Sequence, residues 1–281
     1  MKQPLTADER LERIESNAKR FRSLPRLALQ PDNDFTLAVC GYGPSLADTW
    51  QEAAKCDRIM TTSGAHDFLI GKGVIPHYHA ELDPREHKAA FVKNSHPDVT
   101  YYIAAHCHPK MLARLTYEGR KVVLYYAVTQ DDNARQAAQV MRLEPVYHDV
   151  ISGHTNVGML ANSIGRVLGH QYFHLHGMDC CFPNGQMWAG PHTGRRQDVV
   201  TVRVDGREYL TSPQMMESTD DMIRVFIQMP HVTFVVHGDG LLAARVRLLK
   251  RDMAFALSKR WWEPVDFYIR EPVERMASIR L

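Results

Sequence analysis

The sequence predicts an α/β fold: a Rossmann-like, mostly parallel sheet with helices on both faces, extended at the C-terminus by a hairpin and further helix. Three observations predict it. Short segments rich in β-branched and aromatic residues alternate with amphipathic stretches through the first two thirds of the chain. The first of these segments ends in a glycine turn, Gly41-Tyr42-Gly43-Pro44-Ser45. Asp205-Gly206 interrupts the alternating run VVTVRVDGREYLT, which is a strong hairpin signal.

The elements follow in order. LTADERLERIESNAKRF reads as a helix, with Thr6 and Glu9 spaced as a capping box and Leu11, Ile14, Ala18 and Phe21 on one face. FTLAVC is the first strand. DRIMTT (57–62), HYHAELD (77–83), TYYIAA (100–105), KVVLYYA (121–127) and QYFHLHG (171–177) are further strands. Helices are expected between them at 46–55, 65–72, 85–94, 108–117, 131–141 and 155–168. The stretch 180–197 is rich in glycine, proline and polar residues and reads as a long loop. The hairpin, a helix over 213–229, a strand over 232–236 and a helix over 239–258 complete the pattern. The expected organisation is an N-terminal helical extension (1–30), a Rossmann-type domain (31–245) and a C-terminal helix and tail (246–281). Trp261-Trp262 in that tail suit packing on the core or on a second copy of the chain.

Composition narrows the class. The 281 residues are 44% hydrophobic and 23% charged, with a net charge of +2, the balance of an ordinary globular protein rather than a dedicated nucleic-acid binder. None of the five cysteines forms a C-x-x-C pair, which argues against a zinc ribbon or a thioredoxin-like site. The odd cysteine count and the absence of signal-peptide character point to reduced thiols and a cytoplasmic location. No apolar run reaches the length of a membrane span.

In a parallel sheet, ligands bind beyond the carboxyl ends of the strands, so those ends carry the candidate residues. Gly41, Tyr42, Gly43, Pro44 and Ser45 can hold a phosphate on free helix amides, or can simply form a tight capped turn. A lone G-x-G does not decide between the two. Ser63, Gly64, His66 and Asp67 after the second strand can reach a ligand, although a helix cap is the plainer role for Ser63 or Asp67. Asp83 is either a metal-binding carboxylate or the N-cap of a helix starting at Pro84. Gly153, His154, Thr155 and Asn156 surround a helix start that suits an anion or a cap. Asp179 is a second carboxylate at the same expected edge, and two carboxylates with phosphate oxygens make a magnesium site. His154 and His192 are candidates for a general base or acid. Most of the 15 histidines are expected to be solvated or structural, and no H-x-x-x-H or H-E-x-x-H motif supports a zinc site.

Several stretches taken together resemble one family: VCGYGPSL, TTSGAHDFLIGKGVIPHYHAELDP, GHTNVGMLANSIGRVLGHQYFHLHGMDCCF, VDGREYLTSPQMM and VVHGDGLLA, in that order over about residues 35–245. This resembles the MptE-like domain, named for archaeal 6-hydroxymethylpterin diphosphokinase. The resemblance implies a transferase that uses a phosphate-activated donor, with Gly41, Gly43, Pro44 and Ser45 as the donor turn and Asp83 and Asp179 as its carboxylates. The archaeal enzyme moves diphosphate from ATP to a hydroxymethyl pterin with magnesium. Related motility accessory factors and sialyltransferases transfer sugars. Tyr42 between the glycines and His154-Thr155-Asn156 at the helix entry depart from the family pattern and leave donor and acceptor open. The expectation is therefore a diphosphokinase-like enzyme using Mg2+, a nucleotide donor (ATP or a nucleotide sugar) and a small-molecule or polymer-borne alcohol acceptor. A glycosyltransferase, with Arg195 and Arg196 neutralising the leaving diphosphate, and a non-catalytic nucleotide-binding module are the alternatives.

Overall fold

A computed structural model describes residues 5–128, 133–143, 151–152, 156–190, 198–229, 231–258 and 279–280. The chain forms two compact units that interleave in sequence: Met1–Asn33 with Arg58–His170, and Asp34–Asp57 with Gln171–Leu281.

The first unit holds β2 (Arg58–Thr62), β3 (Tyr78–Glu81), β4 (Thr100–Ala104) and β5 (Lys121–Tyr125), in that spatial order and all parallel. β2, β3 and β4 are short and buried after their first residue, as expected of parallel strands covered by helices, while β5 keeps Lys121 exposed. The helices are α1 (Ala7–Arg20), α3 (Ala65–Gly71), α4 (Pro109–Tyr117), α5 (Asn133–Leu143) and α6 (Val157–Val167). The Thr6/Glu9 capping box opens α1, with both reciprocal bonds formed. Helix α6 turns a face of small residues inward, with Gly158, Ala161 and Gly165 all buried. Tyr101, Tyr125, Leu69 and Met60 fill the core.

The second unit has the strand order β12 (Ile279–Arg280), β11 (Thr233–Val236), β8 (His170–His176) and β1 (Asn33–Cys40). β11 runs parallel to both β8 and β12. Its helices are α2 (Leu46–Ala53), α7 (Pro213–Gln228) and α8 (Leu241–Ser258). Phe173 stacks on Phe234 with ring centroids 5.2 Å apart, and Phe226 closes on Phe234 at 4.4 Å. The hairpin β9 (Val200–Val204) and β10 (Arg207–Thr211) pairs antiparallel around Asp205 and Gly206. Both turn residues have positive φ (50° and 78°), the twist a two-residue hairpin loop requires.

The structure departs from the sequence reading at several places. The helix expected over 85–94 is a 3-10 turn, Glu86–Ala90, entered through Arg85, so Asp83 caps no α-helix. Neither Ser63 nor Asp67 caps α3; Gly64 holds the cap position with ordinary helical angles. The left-handed residue of that turn is Ser63, at φ 50°. Ser45 precedes α2 without a side-chain cap bond. A small parallel pair, β6 (Ala127–Val128) with β7 (Ile151–Ser152), and β12 carry patterns too short to read in sequence. Among the described residues, no helix is long and apolar enough to cross a membrane.

Candidate functional site

The seam between β1 and β8 lies in the second unit, with all the strands of the first unit between them in sequence. A doubly wound sheet places its ligand beyond the carboxyl ends of such a pair. The glycine turn leaves β1 there and Gly177-Met178-Asp179 leaves β8. The two loops are laced together. The N–H of Gly41 donates to the His176 carbonyl at 2.8 Å, that of Gly43 to the Gly177 carbonyl at 2.9 Å, and that of Ser45 to Asp179 Oδ2 at 3.0 Å. Three amides of the turn, those of Gly41, Gly43 and Ser45, therefore already carry protein acceptors, and the one just before α2 is held by the Asp179 carboxylate.

Packing explains the glycines. A Cβ on Gly43 would lie 2.3 Å from Asp179 Oδ2 and 2.6 Å from the Gly177 carbonyl oxygen. Gly177 has φ +61°, and its own Cβ would meet the Gly41 carbonyl oxygen at 2.3 Å. Gly238 (φ +93°), after β11, closes on Ser45, and Gly240 closes on the Asp179 backbone. Tyr42 accepts the Ala189 N–H at 3.1 Å, which ties the long loop to the turn. Burial raises the Asp179 pKa, and the Ser45 hydrogen bond opposes it.

The first unit carries a polar group at the ends of β2 and β3. Arg85 grips Asp83 through Nε, 2.8 Å from Oδ1, and through its terminal nitrogen on Oδ2. Lys88 Nζ lies 3.6 Å from Asp83 Oδ2 and 3.4 Å from Ser63 Oγ. Burial works against the Asp83 charge, but these cations outweigh it and hold the carboxyl below its usual range. Beneath them, fully buried Glu81 accepts the Leu82 and Asp83 amides on Oε1 at 2.9 and 3.0 Å, and burial raises its pKa. Asp67, instead of capping, binds the Lys93 and Asn94 amides and the His66 ring. His66 is wholly buried against Tyr101 and so cannot reach a ligand as the sequence reading allowed. Asn156 caps α6, its Oδ1 accepting from Met159 N–H at 3.0 Å.

The structure thus brings Gly41 to Ser45 together with Asp179, and Ser63 together with Asp83. Asp83 and Asp179 belong to different units. Gly153, His154, Thr155, His192, Arg195, Arg196 and Trp261-Trp262 lie outside the described residues. Sequence reasoning passed over Arg85 and Lys88, although PREHK follows the third strand directly. It also passed over His174, which shares one strand face with His176 because the two are two residues apart. All five cysteines are free, and burial raises every one of their thiol pKa values, to about 12 for Cys180 and about 11 for Cys181. None is poised as a nucleophile.

A family model described as 6-hydroxymethylpterin diphosphokinase MptE-like matches residues 9–185. The chain belongs to the MptE-like family. The match takes in the strand ends from Gly41 to Asp179; the hairpin, β11 and α8 of this MptE-like chain follow it. Among solved structures it is similar to the MAf glycosyltransferase from Magnetospirillum magneticum AMB-1, at 14% identity and a TM-score of 0.63. That likeness covers 90% of this chain but only 43% of the glycosyltransferase, and at this identity it speaks to the shared Rossmann-like fold. No curated protein matches the chain.

Proposed function

We propose that this MptE-like chain is a nucleotide-dependent transferase, moving a phosphate group, best read as diphosphate, from a nucleotide to a hydroxymethyl or other alcohol acceptor. Family membership over residues 9–185 is the observation that carries this reading. In the reaction proposed, the acceptor oxygen attacks the β-phosphorus of a nucleoside triphosphate. The bond from that phosphorus to the αβ-bridging oxygen breaks, the nucleoside monophosphate leaves, and the alcohol proton passes to a base. Such transfers need positioning and charge neutralisation more than covalent chemistry.

Arg85 and Lys88 suit the second task. They stand at the end of β3 beside Ser63, whose left-handed backbone is the kind of strain that collects at functional sites. A donor phosphate that drew them partly away from Asp83 would exchange one anion for another. Magnesium belongs to the proposal only with a rearrangement. Both Asp83 oxygens already carry Arg85, and Asp179 spends one oxygen on the Ser45 amide. A hard cation on Asp83 would have to displace the guanidinium.

A second reading, sugar transfer from a nucleotide sugar, is favoured by the fold likeness to the MAf glycosyltransferase. There the same two cations would meet the phosphates of the leaving nucleotide. The cytoplasmic location and a homo-oligomer through the C-terminal tail are likewise proposals.

The test is a thermal-shift screen with ATP, GTP, CMP-sugars and UDP-sugars, with and without magnesium, followed by product analysis. A ligand at about 100 times its Kd stabilises by about 2.7 kcal/mol. The expected result is ATP-selective stabilisation with AMP and a diphosphorylated alcohol as products. Nucleotide-sugar selectivity establishes the second reading. Binding without turnover of any acceptor leaves a nucleotide-binding module, and no response to any nucleotide sinks the proposal. Lys88→Ala is expected to weaken nucleotide binding about tenfold or more, since a hydrogen bond to a charged group is worth ~1.5–3 kcal/mol.

A further inference from the structure

His174, His176 and His237 lie together in the second unit, on the side of the fold served by β8 and β11. Two features of the sequence bring them there. His174 and His176 project from the same face of β8, two residues apart. β11 pairs parallel with β8, Val235 opposite His174 and Val236 opposite Leu175, so the next residue, His237, arrives level with His176. The bond from the His237 N–H to the Leu175 carbonyl, 2.9 Å, fixes that register.

We propose that these three imidazoles form a transition-metal site for a borderline-soft divalent ion of the zinc class, with a fourth position open to water or substrate.

One nitrogen from each ring lies within 4.8 Å of the others. His174 Nδ1 and His237 Nε2 already approach to 2.9 Å, and the His176 and His237 rings stack with centroids 4.0 Å apart and planes 14° from parallel. Tetrahedral zinc holds its nitrogens at ~2.0–2.1 Å, which places them roughly 3.3 Å from one another. Coordination therefore requires the hydrogen bond between His174 and His237 to open and the stacked rings to turn out of their parallel arrangement, until a lone pair of each faces the same point. His176 supplies the independent observation: it is wholly buried, and neither of its ring nitrogens has a hydrogen-bond partner. A buried imidazole left unpaired at both nitrogens is costly, and an ion is one of the few things that repays it. His174 and His237 are only half-buried, which gives an ion a way in.

The donor set selects the ion. Three neutral nitrogens and no carboxylate suit zinc, cobalt, nickel or copper and disfavour magnesium or calcium. Three histidines with an open fourth position are also the ligand count of catalytic rather than structural zinc. The three histidines belong to the other unit from the Asp83 group, and the site does not depend on the transferase reading. His237 lies beyond the part of the chain matched by the MptE-like family model.

The test uses the full chain, stripped with chelator and titrated with Co2+ and then Zn2+. Binding is followed by the cobalt d–d absorption, by competition with a chromophoric chelator, and by the melting temperature. One equivalent is expected to bind and to raise the melting temperature. His237→Asn and His174→Asn are each expected to weaken binding at least ~10-fold, a loss that even outer-shell changes at metal sites reach. They should also abolish the zinc-induced thermal shift while leaving the metal-free chain folded. His176→Ala removes the buried member, and should it fail to fold, the two half-buried variants still decide the matter. His87→Asn, at an exposed histidine, is expected to bind as the wild type does. Absence of stoichiometric binding in the wild type, or equal affinity and thermal shift in the His174 and His237 variants, overturns the site.

Discussion

Gly43 shows what a single missing Cβ does here. Its added methyl would strike a backbone carbonyl on one side and the Asp179 carboxylate on the other, and the carbonyl belongs to the loop that Gly43 itself hydrogen-bonds. Gly43→Ala is therefore expected to cost about 1–3 kcal/mol, the range for overpacking a filled site. Gly71, in the last turn of α3, has nothing within 4 Å of its added Cβ. Gly71→Ala is expected to gain up to ~1 kcal/mol through helix propensity alone. Urea denaturation of both variants checks the pair. A Gly43→Ala chain as stable as wild type would mean that the two loops do not pack as described.

At the scale of the element, α6 shows how one side chain sets a helix start. Asn156 is extended, at φ −150° and ψ 165°, and its Oδ1 takes the Met159 amide that would otherwise lack a partner. Asn156→Ala is expected to cost ~1 kcal/mol, and Asn156→Asp to recover most of it, since aspartate caps as well as asparagine. Equal stability of wild type and the alanine variant would remove the cap. Two other helices start differently. α2 follows Ser45 and α3 follows Gly64, neither with a side-chain cap bond. In α2 the amide just before the helix is served from outside, by Asp179.

For the whole molecule, one buried base gives a readable pH dependence. The Nε2–H of His106 donates to the Leu82 carbonyl at 2.8 Å, and burial, aided by the Arg10 charge, pushes its pKa down to about 4 from 6.5. The folded state thus favours the neutral ring. Its stabilising contribution is complete above pH 6.5 and is lost as pH falls toward 4, by at most about 3 kcal/mol. Glu81, whose pKa burial raises, works in the opposite sense, since its contribution fades as pH rises. The difference between wild type and His106→Gln isolates the histidine, because glutamine keeps the donor to Leu82 but cannot titrate. Denaturation curves from pH 7.5 to 4 are expected to fall less steeply for the variant. Parallel curves would mean that His106 titrates normally in the folded chain.

The alternation of short apolar runs with amphipathic helices was enough to read the parallel α/β fold. Buried backbone N–H and C=O groups must be paired, which confines the chain to helices and strands, and each leaves its period and its bounding turns in the residues themselves. The Thr6/Glu9 box, the Asp205-Gly206 hairpin and the extent of α7 were legible for the same reason: each is decided within a few residues of itself. What only the tertiary structure decided is which distant groups meet. In the glycine turn the residue types left phosphate and tight packing equally open. The close approach of Gly177, Gly238 and Asp179 shows the packing, because those contacts depend on β8 lying beside β1 and β11 beside β8. His174 was passed over although it stands two residues from His176 on one strand face, and the third imidazole comes from more than sixty residues away, through the pairing of β8 with β11. Local sequence sets backbone conformation, whereas strand order and register set long-range proximity, and it is proximity that turns histidines into a ligand set.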